Sequence, residues 1–204
     1  MRKENVMEKI NGLIGVDESY KAPERVMQII SDKNTAKEVF LSFLKEFNYD
    51  LSYEWFNDYF EDEHADRKNN KQDFTPESVS KLIAETFGQT PQYGVIYEPA
   101  AGTGSTIISH WYKETRKHTF PWDYHPDNYL YICEELSDKT LPFLLFNILI
   151  RGMNAVVIHG NTLTREAKEV YHCDNKENQL MVFSELRILP HIDYVKELLN
   201  IRFL

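Results

Sequence analysis

The sequence predicts an α/β protein, an open doubly wound sheet with a helical extension at its N-terminus. Three observations lead there. Apolar residues recur with helical spacing through the first third of the chain, helices and strands then alternate, and Gly-rich or acidic clusters fall at the expected strand ends. With 204 residues the chain suffices for one domain or for one with an appendage. Twelve Phe, twelve Tyr and three Trp supply the surface for a packed core, which excludes a mainly disordered chain.

Residues 1–70 form the expected extension. Val39, Phe40, Phe43, Leu44 and Phe47 lie three and four apart and so share one helix face; Trp55, Phe56, Tyr59 and Phe60 repeat the pattern. The polar run from Glu61 to Lys68 reads as a solvated helix end, and Asn69 and Asn70 mark a joint. Residues 71–204 form the second unit. There Thr75 is placed as an N-cap with Pro76 in the first turn, Val79, Leu82, Ile83 and Phe87 as the apolar face, and Gly88 as the stop. Strands are expected at Gly94–Tyr97, Tyr129–Cys133 and Ala155–His159, and a helix at Asp138–Arg151 ended by Gly152. Strands separated by helices pair in parallel through right-handed crossovers.

Composition narrows the function. Lys and Arg number 23 against 32 Asp and Glu, leaving a net charge of −9, so this chain has little grip of its own on a phosphate backbone. Any DNA contact is expected through a basic partner. The longest apolar run, Leu141–Ile150, is interrupted by Pro142 and Asn147 and falls short of a membrane span; the opening MRKENVMEKI has no apolar h-region, so a cytoplasmic protein is expected. Cys133 and Cys173 lack CxxC or Cys/His spacing and read as free thiols. His110, His118 and His125 fall in or beside the aromatic stretch Trp111–Asn128 without the i, i+4 pairing of helical metal sites, so no metal is expected, and the stretch reads as packing between crossover and sheet.

Three clusters carry chemistry. Glu98-Pro99-Ala100-Ala101-Gly102-Thr103-Gly104-Ser105 joins the first strand to a helix, where glycines permit a tight turn and exposed amides favour an anionic group. No Lys-Ser or Lys-Thr pair follows, so this is not a Walker loop. Glu134-Glu135 ends the second strand, where a carboxylate accepts bonds from ribose hydroxyls. Gly160-Asn161-Thr162 ends the third, where a side-chain amide can read an adenine edge. All three occupy strand C-terminal ends, the ligand-binding side of open α/β sheets.

Lys71-Gln72-Asp73-Phe74-Thr75-Pro76, followed by a helix and EPAAGTG, resembles the paired signatures of adenine-specific (N6) DNA methyltransferases, in particular the modification subunits of type I restriction-modification systems, here in a short phage or mobile-element form. The resemblance runs from about Lys71 to Thr162. It implies a Rossmann-like S-adenosylmethionine-dependent methyltransferase sheet, in truncated form. It also implies that Asp73, Phe74, Thr75 and Pro76 wrap the methionine end of S-adenosylmethionine. Glu98, Pro99, Ala100, Gly102, Thr103, Gly104 and Ser105 then form its cradle, and Asn161 and Thr162 its adenine side, with Asn161 where the family usually has Asp. The ribose acid, counted back from Asn147, is Glu135.

The sequence also departs from that pattern. The family's (Asn/Asp/Ser)-Pro-Pro-(Tyr/Phe) motif holds the adenine amino group and stacks on the flipped base, yet this chain has no Pro-Pro pair. The nearest segment is Leu189-Pro190-His191-Ile192, with Leu in the polar slot and Ile in the stacking slot. About a dozen residues follow Pro190, fewer than the roughly 30 of a further βα unit. The expectation is an S-adenosylmethionine-binding, adenine-N6 methyltransferase-like protein with a degenerate catalytic motif. It would reach DNA through a specificity-type subunit, with no membrane association and with oligomerisation left open. Two alternatives stand beside it: an active methyltransferase whose atypical acceptor site uses Pro190, His191 and a partner chain, or a non-enzymatic module that mimics a modification subunit.

Overall fold

The computed structural model describes residues 3–57, 59, 78–80, 82 and 94–204. Three helices open the chain: α1 (Lys3–Ile14), α2 (Ala22–Ser31) and α3 (Lys33–Glu46). Asp32 starts α3 by accepting the Thr35 amide at 2.8 Å and the Thr35 hydroxyl at 2.7 Å, which satisfies one of the orphan donors of the first turn. The expected apolar face of α3 is the one it buries: Phe40, Phe43, Leu44 and Phe47 are interior and Val39 packs against them. Trp55, Phe56 and Tyr59 are buried as well. Phe60, the run from Glu61 to Lys68 and the joint at Asn69 and Asn70 lie outside the described residues.

The second half is a mixed α/β unit built on an open six-stranded sheet. Its elements are β1 (Gly94–Glu98), α4 (Ser105–Thr115), β2 (Tyr129–Glu135), α5 (Leu141–Ile150), β3 (Ala155–Asn161), β4 (Glu166–Asp174), β5 (Glu185–Ile188), α6 (Asp193–Leu199) and β6 (Arg202–Phe203). As expected, β1, β2 and β3 pair in parallel and in sequence order, with Glu98 opposite Cys133 and Glu135 opposite His159. Past β3 the alternation of helix and strand ends. β4 returns antiparallel through a short turn, β5 pairs antiparallel with β4, and β6 pairs parallel with it. A bulge separates His159 from Gly160, and there a Cβ on Gly160 would lie 2.3 Å from the Glu166 carbonyl, so only glycine lets the two strands approach.

Helix α5 begins at Leu141, three residues later than expected, because Ser137 forms its own turn by accepting the Lys139 and Thr140 amides. All ten of its residues are buried. A helix that is apolar all round needs cover on both sides. The sheet provides one side and the N-terminal helices the other: Phe146 meets the rings of Phe40 and Phe43 at 4.8 Å each, and Phe143 meets Phe56 at 4.7 Å. One continuous apolar cluster therefore runs from Ile10 to Cys173. The opposite sheet face is covered over β3 and β4, where Ile158, Ala167, Val170 and Ile201 pack, while Val95 and Tyr97 on β1 stay exposed. Val79 and Leu82 are helical and exposed, and Ser80 is buried; Thr75, Pro76, Ile83, Phe87 and Gly88, the rest of that expected helix, lie outside the described residues. No described helix is long and apolar enough to cross a membrane.

Candidate functional site

Parallel pairing puts the ends of β1, β2 and β3 side by side, and their following turns enclose a cavity of about 560 Å³. The first turn, 99–104, owes its shape to Gly102 at φ 56° and Gly104 at φ 102°, left-handed values that non-glycine side chains rarely adopt. Gly104 then caps α4, its amide bonded to the Ala101 carbonyl and its carbonyl to the Ile108 amide. The turn is fastened to β2 from above and below: the Ala101 amide donates to the Glu134 carbonyl at 2.9 Å, and the Gly102 amide to Glu135 Oε2 at 2.8 Å.

Glu135 also accepts the Ser137 amide through Oε1 at 2.7 Å, so each carboxylate oxygen takes one backbone donor and keeps a lone pair for a ligand. The segment behind it is pinned, since Asp138 receives Lys168 at 2.7 Å and lies 3.1 Å from His159 Nε2. Burial, reinforced by the Lys168 charge, lowers the His159 pKa. Glu134 has a different task although it too borders the cavity. It is almost wholly buried, its Oε1 accepting the Tyr97 hydroxyl at 2.7 Å and Arg165 Nη1 at 2.6 Å. Arg165 in turn donates to the carbonyls of Leu199 and Asn200, which makes Glu134 the anchor of the C-terminal segment.

The third turn is tied to the first by the Thr162 hydroxyl, which donates to the Pro99 carbonyl at 2.6 Å. Asn161 borders the cavity, but its Oδ1 already accepts the amides of Leu163 at 2.9 Å and Thr164 at 3.3 Å. What the side chain offers a ligand is therefore its Nδ2 donor. At the rim, burial raises the pKa of Glu98, with the Ala100 amide opposing.

The structure thus gathers Glu98, Pro99, Ala100, Gly102, Thr103, Ser105, Glu135, Asn161 and Thr162 around one cavity, with Gly104 shaping the turn behind them. Asp73, Phe74, Thr75 and Pro76 lie outside the described residues. Leu189, Pro190 and His191 do not line the cavity. They follow β5, two strands beyond β3, where His191 stacks on Phe203 with centroids 3.8 Å apart and lies 3.2 Å from Glu169. Sequence reasoning missed Leu136, Thr140 and Leu163 on the wall. Leu163 is 93% exposed and Leu136 58%, and such apolar exposure beside a cavity is visible only in three dimensions.

A Gly-rich turn and a carboxylate with spare acceptor capacity thus lie on consecutive strand ends, the side on which open α/β sheets receive small-molecule ligands. Residues 50–184 match the family of N-6 DNA methylases, and the chain belongs to that family of adenine N6 DNA methyltransferases. No curated protein and no solved structure matches the chain. The family generally uses S-adenosylmethionine. The residues present fit that molecule: the cavity has the volume of a small-molecule site, Glu135 has acceptor capacity for two ribose hydroxyls, and Asn161 offers a donor.

Proposed function

We propose that the cavity binds S-adenosylmethionine and that the chain is a modification-subunit-like protein of a restriction-modification or phage system. Glu135 holds the ribose, the turn from Glu98 to Ser105 cradles the methionine portion, and Asn161 and Thr162 face the adenine. The bond from the Gly102 amide to Glu135 carries this reading, because it joins the turn and the acid into one preorganised wall. When bound, the cofactor supplies an electrophilic methyl group. The chain's own part is to orient that group and to keep the ribose hydroxyls paired.

The acceptor side is not built in the family's manner. No Pro-Pro motif exists in the sequence, and the Leu189–His191 segment is engaged at the β5 side of the sheet. The net charge of −9 also favours DNA engagement through a basic partner of the specificity-subunit type. Calorimetry with S-adenosylmethionine tests the cofactor reading, and the absence of heat at millimolar ligand overturns it. Transfer of labelled methyl to DNA, with and without candidate partner subunits, tests the acceptor reading. Transfer by the isolated chain would replace it with an autonomous enzyme, and binding without transfer in any mixture would leave a cofactor-sensing module.

A further inference from the structure

A polar cluster lies beneath the Gly-rich turn, and the cofactor reading makes no use of it. Glu54 follows α3 and is 8% exposed; its Oε1 accepts the Phe56 amide at 2.7 Å and Asn147 Nδ2 at 2.8 Å. The same Asn147 Nδ2 donates to the Thr103 carbonyl at 2.9 Å. One amide group therefore spans from a carboxyl in the N-terminal part to the backbone of the cofactor turn.

The orientation of that amide is set from behind. Arg151 Nη1 donates to Asn147 Oδ1 at 2.8 Å, and a guanidinium has no acceptor, so the oxygen must face Arg151 and the NH₂ must face Glu54 and Thr103. Arg151 is itself held by the carbonyls of Leu51 and Tyr53 and lies over the Trp55 ring. Glu54 Oε2 and the Thr103 hydroxyl are buried without a hydrogen-bond partner. The Thr103 hydroxyl is close enough to help hold the carboxyl's pKa down, without reaching the geometry of a formed bond. Stability alone accounts poorly for this arrangement, since an apolar replacement of the same shape usually serves a core as well or better.

We propose that Glu54 is a positioning residue for the cofactor turn. Through Asn147 it fixes the Thr103 carbonyl, and with it the orientation of the Gly102 amide that meets Glu135. The helical N-terminal part then contributes to the cofactor site without touching the cofactor. The proposal deepens the S-adenosylmethionine reading and rests on it for its link to function.

Hydrogen exchange of the ligand-free chain, paired with S-adenosylmethionine titration, tests it. In Glu54→Ala and Asn147→Ala, the amides of residues 101–105 are expected to exchange about tenfold faster relative to those of α4, and S-adenosylmethionine affinity to fall about tenfold, the scale of one lost buried hydrogen bond. Glu54→Gln keeps an acceptor oxygen for Asn147 and is expected to restore both. Wild-type protection of the turn in folded Asn147→Ala overturns the proposal, as does equal loss in the Gln and Ala variants. Should Glu54→Ala fail to fold, Glu54→Asp decides, because it withdraws the carboxyl by one methylene, and turn protection equal to wild type there is also an overturning result. Because the exchange arm needs no cofactor, a loosened turn in a protein that never binds S-adenosylmethionine defeats the cofactor reading and leaves the positioning role standing.

Discussion

Glu134 and Glu135 are adjacent carboxylates with opposite tasks, decided by what each one meets. Glu134 is consumed by Arg165 and Tyr97, whereas Glu135 meets only backbone amides and keeps acceptor capacity. Glu135→Ala is accordingly expected to weaken S-adenosylmethionine binding about 100-fold, the scale of two charge-assisted bonds, which titration calorimetry reads, and to cost about 2 kcal/mol of stability because the Gly102 and Ser137 amides lose their acceptor. Glu134→Ala should leave that affinity within a few-fold of wild type while costing about 2 kcal/mol in urea denaturation, because Arg165 and Tyr97 lose their shared carboxylate. Glu54 carries a pH signature of its own. Burial lifts its carboxyl from 4.5 to about 7, against the opposing influences of Asn147, the Phe56 amide, Thr103 and Arg151. Between those values the folded state keeps a proton that the unfolded state has released. Stability from this group therefore falls as pH rises from 4.5 to about 7 and is level above, by on the order of 3 kcal/mol. Glu54→Gln removes that slope, so the stability difference between variant and wild type should change across this window; a constant difference in denaturation at about pH 5 and about pH 8 would count against it.

At the scale of elements, α5 is the centre of the molecule. Its apolar surface faces the sheet on one side and Phe40, Phe43 and Phe56 on the other, so truncation there leaves a cavity that neither layer can fill. Phe146→Ala is expected to cost about 3 to 5 kcal/mol, measured by chemical denaturation. The junction of β3 and β4 is equally intolerant for a different reason. Gly160→Ala places a methyl against the Glu166 backbone, and a loss of about 3 kcal/mol is expected, together with weaker S-adenosylmethionine binding as Asn161 and Thr162 shift. A melting temperature unchanged from wild type would show that the bulge relaxes.

At the scale of the whole molecule, the N-terminal helices and the sheet share one core. Removing the first 46 residues strips Phe40 and Phe43 from Phe146, and the remainder is expected to lose cooperative unfolding and to bind hydrophobic dyes. A sharp thermal transition in that fragment would contradict the shared core. Much of this architecture was legible in advance. The α3 face and the strands β1, β2 and β3 stood out because parallel strands and packed helices write their burial as apolar runs or helical spacing. Strand β4 did not, because Lys168 and Glu169 fall side by side, as do the buried Val170 and Tyr171, which breaks the alternation that marks a half-buried strand. The bond between Glu54 and Asn147 was illegible, since it joins residues 93 apart and neither pattern nor spacing relates them.

The sequence by itself determined the glycines of the turn, the acids and the amide at three strand ends, and the order in which those strands follow one another. These are matters of local conformational preference and of alternation along a single segment. Tertiary structure alone decided that Glu134 is taken up by Arg165 and Tyr97, that the Asn161 oxygen is taken by its own turn, and that Glu54 is joined through Asn147 to the Gly-rich turn. Each of those depends on where a side chain finds its hydrogen-bond partner once distant segments pack, and for Glu134 and Glu54 that partner lies 31 and 93 residues away.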